Sequence, residues 1–123
     1  MKKKYRSKFE ARVAKQLGNN KFPIRYEDME IKYTQPVMHR KYIPDFVLPN
    51  GIILEVKGRL RLEDRKKHIW IKQQHPELDI RFVFMNAQNK IRKGSKTTYA
   101  MWCSKHGFQF CDTIIPKSWF EGC

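Results

Sequence analysis

The sequence predicts an α/β domain in which helices flank a small mixed β-sheet, and three observations carry that expectation. Residues 42–58 (Tyr-Ile-Pro-Asp-Phe-Val-Leu-Pro-Asn-Gly-Ile-Ile-Leu-Glu-Val-Lys-Gly) spell a β-hairpin around a Pro-Asn-Gly turn. Segments with helical character lie on both sides of it, at 7–17, 63–75 and 97–106. Between the last two, residues 79–85 (Asp-Ile-Arg-Phe-Val-Phe-Met) read as a strand. No internal repeat, low-complexity tract or Gly/Ser/Pro linker divides the chain. Residues 1–123 therefore read as one domain with a short basic N-terminal arm over about 1–6.

The elements follow in order. Ser7 and Glu10 have capping-box spacing, and Phe9, Val13 and Leu17 recur at i, i+4 and i+8 before Gly18-Asn19-Asn20 stops the first helix. Residues 22–33 are β-prone with loose alternation, and Gln35-Pro36 ends them. In the hairpin, Pro49 suits position i+1 of a type I turn, Asn50 position i+2, and Gly51 the left-handed position that follows. That loop sets the register: Leu48 faces Ile52, and Asp45 faces Glu55 on the same side as Lys57. The opposite face (Pro44, Phe46, Leu48, Ile52, Leu54, Val56) is wholly apolar and belongs in the core. A helix over 63–75 stops at Pro76, and a helix over 97–106 stops at Gly107. Short β pieces at 108–115 and a turn led by Pro116 complete the chain, with Trp70, Trp102 and Trp119 expected to fill the core.

Composition narrows the partner. Lys and Arg number 26 against 12 Asp and Glu, a net charge of +14. Hydrophobic content of 41% with 13% aromatics is too high for a disordered basic tail. No apolar run approaches the ~18 residues of a membrane span, and no secretory leader pattern is present, so a cytoplasmic protein without membrane contact is expected. Cys103, Cys111 and Cys123 form an odd set without Cys-x-x-Cys spacing, which suits a reducing compartment. Cys103-x-x-His106 with Cys111 lacks a fourth zinc ligand, so these thiols read as buried. His39, His68 and His75 are assigned structural or phosphate-facing roles.

The charge is concentrated. Residues 1–26 hold Lys2, Lys3, Lys4, Arg6, Lys8, Arg12, Lys15, Lys21 and Arg25 against the single acid Glu10, and residues 80–111 hold Arg81, Lys90, Arg92, Lys93, Lys96 and Lys105 against none. This is the electrostatic footprint of a nucleic-acid-binding protein. The expected contacts are Lys2, Lys3, Lys4 and Arg6 in the arm, Arg65, Lys66 and Lys67 on the helix after Gly58, and Lys90, Arg92, Lys93 and Lys96 in the loop before the last helix.

Two carboxylates facing each other on one sheet surface repel, so something positive must sit between Asp45 and Glu55. Lys57 could supply that charge as a cross-strand pair. Alternatively a hard divalent cation does so, leaving Lys57 for chemistry, since Mg²⁺ takes carboxylate ligands together with substrate phosphate oxygens. A third carboxylate is useful where two metals clamp an in-line displacement. Glu10 is the candidate, its other reading being a helix-capping residue worth ~1 kcal/mol.

Pro44-Asp45, a nine-residue gap and Glu55-Val56-Lys57 resemble the acid…acid-x-Lys pattern of the restriction-endonuclease-like nuclease superfamily. A longer set of segments is similar to endonuclease I of the T-odd coliphages, a Holliday-junction resolvase family. These are Pro-Asp-Phe-Val-Leu-Pro-Asn-Gly, Glu-Val-Lys-Gly, Asp64-Arg-Lys-Lys-His68, Gln74-His-Pro-Glu-Leu-Asp79, Lys93-Gly-Ser95, Cys103-x-x-Lys-His-Gly107 and Ile115-Pro-x-x-Trp119. The similarity runs from about Ser7 to Phe120. The resemblance implies a restriction-endonuclease-like core in a nuclease domain, and a homodimer with exchanged elements, so that each active site draws on both chains. It implies Mg²⁺ or Mn²⁺, one or two ions per active site, with Asp45 and Glu55 as ligands and the Val56 carbonyl completing the first ion's coordination. Glu10 would hold the second ion from the partner chain, and Lys57 would lie near the attacking water. The substrate would be branched DNA, above all four-way junctions, cut in the host cytoplasm if the chain is phage-encoded. An isologous dimer suits a junction, which needs two symmetric cuts. Two rivals stand beside this reading: a same-fold nuclease without junction preference, and a non-catalytic basic nucleic-acid-binding module.

Overall fold

A computed structural model describes residues 5–35 and 38–123, so the expected contacts Lys2, Lys3 and Lys4 lie outside the described residues. Helix α1 spans Lys8–Asn19 and begins where the Ser7 hydroxyl accepts the Glu10 amide at 3.0 Å. Its apolar stripe, Phe9, Val13 and Leu17, is buried. Only half of the expected capping box forms: the Glu10 carboxylate accepts the Arg6 amide at 2.9 Å instead of reaching the Ser7 amide.

The loosely alternating stretch after α1 splits in two. Strand β1 (Arg25–Tyr26) ends at Glu27, a non-glycine residue with φ 48°, and β2 (Ile31–Gln35) follows. β2 pairs antiparallel with β3 (Met38–Tyr42) in a separate two-stranded sheet, Ile31 opposite Tyr42 and Gln35 opposite Met38. β3 was not expected, because Met-His-Arg-Lys-Tyr lacks apolar alternation and only Tyr42 of the strand is buried.

The main sheet has five strands in the order β1-β4-β5-β6-β7, with β4 (Phe46–Val47), β5 (Ile53–Lys57), β6 (Ile80–Phe84) and β7 (Gln109–Asp112). It is mixed: β1-β4 and β4-β5 are antiparallel, β5-β6 and β6-β7 parallel. The parallel pairs need crossovers, supplied by α2 (Leu62–Gln74) and α3 (Tyr99–His106). The hairpin register is the expected one. Phe46 faces Leu54, the Leu48 amide donates to the Ile52 carbonyl at 2.8 Å, and Gly51 takes φ 91° in the turn. β4 is shorter than the sequence suggests, with Pro44 and Asp45 preceding its paired residues; proline brings no amide to the ladder.

Two cores lie on opposite faces of this sheet. On one, α1 packs Phe9, Val13 and Leu17 against Phe46, Leu48, Leu54 and Val83, with Trp119 and Phe120 from a 3-10 turn at Lys117–Phe120. On the other, Val47, Ile53, Phe82 and Phe84 meet Ile71, Tyr99, Trp102 and Phe108. Burial of this apolar area is the main driving term. Glu55 lies beside Phe82, and Lys57 beside Phe84, across the β5-β6 pairing. The free thiols Cys103 and Cys111 are buried and pushed up to about 12, chiefly by desolvation. No helix among the described residues is long and apolar enough to cross a membrane.

Candidate active site

The end of β5 presents Glu55 and Lys57, the entry to β4 presents Asp45, and the first turn of α1 presents Glu10. Continuing the pairing of Phe46 with Leu54 outward sets Asp45 opposite Glu55. The Asp45 Oδ2 accepts the Val56 amide at 2.8 Å. Glu55 is buried, its Oε1 accepting the Tyr42 hydroxyl at 2.6 Å and its Oε2 lying 3.3 Å from Lys57 Nζ. The same ammonium is 3.4 Å from Asp64 Oδ1.

A second group of acids meets the first at Asp45. Carboxylate oxygens of Glu10, Glu27 and Asp45 all lie within 4.8 Å of one another. Glu10 Oε1 accepts the Tyr26 hydroxyl at 2.6 Å, and Glu27 pairs with Arg6 Nε at 3.0 Å. One chain therefore brings Glu10 to Asp45 by itself.

The electrostatics differ from group to group. Asp45 is pushed up to about 8, first by burial and then by the Glu55 and Glu10 charges, against the opposing Val56 amide and Lys57. Desolvation would lower Lys57, but Glu55, Asp64 and Asp45 more than offset it and hold its ammonium above the ordinary value. Burial, with the neighbouring Glu55, drives the Tyr42 hydroxyl well up, so it serves as a donor. His68 lies wholly buried edge-on to Tyr42 and Phe82, and desolvation keeps it neutral by lowering it well below the ordinary value.

Beside these carboxylates a cleft of about 320 Å³ is lined by Lys8, Glu10, Arg12, Val56 and Gly58. It combines one acid, Glu10, with two cations, Lys8 and Arg12, that attract a phosphate. The expected catalytic set Glu10, Asp45, Glu55 and Lys57, with Val56, is thus brought together. The expected DNA contacts fare unevenly. Lys66, Lys90, Arg92, Lys93 and Lys96 are exposed, while Arg6 is engaged by Glu27. Lys67 holds its ammonium 5.0 Å over the Tyr42 ring. Arg65 is corrected: its buried guanidinium donates to the Leu60 and Ile91 carbonyls at 3.1 and 2.9 Å, so it is withdrawn from phosphate.

Sequence reasoning missed Tyr42, Asp64, Tyr26 and Glu27. Asp64 stood inside one of the resembling segments, and Tyr42 opened the hairpin, but no spacing rule pointed either side chain at Glu55 or Lys57.

Residues 1–122 match the family model described as Phage endonuclease I. Endonuclease I of Escherichia phage T7 is 46% identical over 117 residues, 95% of this chain and 78% of that protein. Endodeoxyribonuclease 1 of Enterobacteria phage T3 is 49% identical over 112 residues, 91% of this chain and 74% of that protein. The match spans the helix that carries Glu10 and the hairpin that carries Asp45, Glu55 and Lys57, and on this basis the chain belongs to the phage endonuclease I family.

Proposed function

We propose that the chain is a divalent-metal-dependent endodeoxyribonuclease that resolves four-way and other branched DNA junctions by phosphodiester hydrolysis. The observation that carries this reading is the convergence of Asp45, Glu55, Glu10 and Lys57 beside a cationic cleft in a chain of net charge +14. Relatives named as endonucleases over most of its length support it.

The donor set fits a hard cation. Asp45, Glu10 and Glu27 offer oxygens within 4.8 Å of one another, and the Asp45 carboxyl, raised first by burial and then by the Glu55 and Glu10 charges, is one that a bound cation would ionise. Asp45 and Glu55, with the Val56 carbonyl, would hold Mg²⁺ or Mn²⁺, and Glu10 with Asp45 a second ion. When bound, such an ion supplies a water of lowered pKa and offsets charge on the phosphate oxygens. Lys57, charged and fixed between Glu55 and Asp64, is suited to stabilising the phosphorane or orienting the attacking water rather than to acting as a base. Tyr42 keeps Glu55 from turning away, and Lys8 and Arg12 position the phosphate. Phosphate contacts read no bases, so preference for junctions would come from shape.

The functional unit in this reading is a homodimer with a restriction-endonuclease-like core and exchanged elements. Exchange of the segment carrying α1 would remake the Glu10–Asp45 contact between chains, giving two identical sites related by a two-fold axis. The deciding experiment compares a labelled four-way junction with its matched linear duplex, with Mg²⁺ and with EDTA. Paired cuts in the junction, lost in EDTA while binding persists, are expected. Equal cutting of the duplex would leave a nuclease without junction preference. Binding with no cutting under Mg²⁺ or Mn²⁺ would leave a binding module.

A further inference from the structure

A second cleft, of about 300 Å³, opens immediately past the catalytic strand. Five cations line it: Arg59 and Arg61 on the wall between β5 and α2, and Lys90, Arg92 and Lys93 on the wall before α3. No carboxylate lines it, and its floor is apolar, with Leu60 and Tyr99 buried. Like charges gathered in this way repel and spread unless the backbone holds them.

The backbone does hold them. Arg65 is buried without an acidic partner among the described residues, and its guanidinium bridges the two walls through the Leu60 and Ile91 carbonyls. Burying an unpaired cation is costly, so the bridge is a stabilising device only in so far as it keeps the walls in place. The second wall is also closed on itself. Lys90 bridges Thr98, the Ile91 amide donates to Thr97 at 2.9 Å, and Gly94 turns at φ 82° with the Ser95 amide on the Arg92 carbonyl at 3.1 Å. Arg92 and Lys93 are thereby presented on a fixed turn.

The position of the cleft completes the argument. Arg59 follows Lys57 by two residues, so their Cα atoms lie within about 7 Å. Gly58 lines the cleft at Glu10 and Val56 and leads into Arg59; a Cβ added at Gly58 would meet nothing within 4 Å. A polyanionic strand crossing the first cleft can continue over Gly58 into the second.

We infer that the Arg59–Arg61 and Lys90–Lys93 walls form a clamp for the sugar-phosphate backbone of the DNA strand continuing from the scissile phosphate, held open by Arg65. The inference rests on the nuclease reading above and adds Arg59 and Arg61 as binding residues, with Arg65 as the residue that positions both walls.

The test measures binding of a fluorescein-labelled four-way junction in EDTA across about 50–200 mM salt. Arg59→Ala/Arg61→Ala should raise Kd about tenfold or more and reduce the log-log salt slope by about 0.9 for each lost phosphate contact. Arg92→Ala/Lys93→Ala, on the opposite wall, should reproduce this. Lys105→Ala/Lys117→Ala removes the same charge elsewhere and should leave the slope unchanged. Neutral methylphosphonates placed one at a time beside the cut should weaken wild-type binding at one or two positions, and that sensitivity should vanish in the Arg59/Arg61 variant. Equal effects from both arginine variants and the lysine control, or methylphosphonate sensitivity that persists, would overturn the clamp. A wild type that shows the clamp signature yet never cuts with Mg²⁺ or Mn²⁺ defeats the nuclease reading instead.

Discussion

Asp45 and Glu55 face each other across one hairpin, yet their surroundings are opposite in kind. The Glu55 side is internally compensated: a tyrosine hydroxyl at 2.6 Å and a lysine ammonium at 3.3 Å satisfy a buried carboxylate. The Asp45 side receives one amide bond from Val56 and otherwise looks toward Glu10 and Glu27. The chain therefore gives one acid a lysine and a hydroxyl as direct partners and sets the other among further carboxylates, with Lys57 opposing their effect. Two carboxylates that look equivalent in the sequence divide into one held by its own partners and one raised by burial and by neighbouring acids.

The largest expected effect removes either side outright. Asp45→Ala and Glu55→Ala should each reduce single-turnover cleavage of a junction by at least about 10³-fold, while anisotropy reports binding near wild type or tighter, since an acidic group near the phosphate is lost. Cleavage within tenfold of wild type by a variant with normal circular dichroism would show that the two sides are not the catalytic ligands.

Glu10→Gln sharpens the Asp45 side next. Ser7 caps the helix independently of the Glu10 side chain, so stability should change by less than about 1 kcal/mol while kcat falls by orders of magnitude. Full activity would return Glu10 to a local hydrogen-bonding role. A heterodimer of Glu10→Gln with Glu55→Gln then tests exchange: shared sites place both lesions in one site and leave one strand nicked, whereas self-contained sites give no nicking above the homodimeric variants.

The pH dependence tests the Asp45 side. With its carboxyl pushed up to about 8, Asp45 is mostly protonated at neutral pH before metal binds, and a metal must displace that proton. Mn²⁺ affinity should rise about tenfold per pH unit up to about 8 and level off above it, with release of about one proton per ion near pH 7 in calorimetry run in two buffers. Asp45→Asn should abolish the proton release. For folding the sign is reversed: the contribution of a raised carboxyl to the metal-free fold is fully present below the ordinary value of 3.8 and is lost progressively as pH rises from there through about 8.

The smallest effect tests the compensated side. Tyr42→Phe removes one bond to a buried carboxylate, a loss of about 1–3 kcal/mol. The Mg²⁺ half-saturation should rise and kcat fall by about tenfold, with junction Kd unchanged. An unaltered metal dependence would mean that Lys57 alone fixes Glu55.

Much of this was legible in the residues. The Asp45–Glu55–Lys57 register followed from a three-residue loop and the two-residue period of a strand, since any slip would have turned Phe46 and Leu54 to the wrong face. Glu10 stood out as the lone acid of a basic segment. Less legible were the supports. Tyr42 joins β3 to the site, but β3 has no apolar alternation and exists by pairing with β2. Glu27 reaches Asp45 through a left-handed turn that no glycine announces.

By itself the sequence determined what is local or additive: helix caps, the hairpin turn, the alternation that separates core from site, and a charge of +14 that demands an anionic partner. Tertiary structure decided which polar groups are compensated. Arg65 reads as one more cation beside Lys66 and Lys67, and becomes a buried strut only because Ile91, 26 residues away, brings a carbonyl to it. His68 is held well below its ordinary value first because Tyr42, Phe82 and Phe108 close around it, and then because Lys57 and Lys67 lie near. Charge state and accessibility depend on desolvation and on partners distant in the chain, and both arise only when the layers pack.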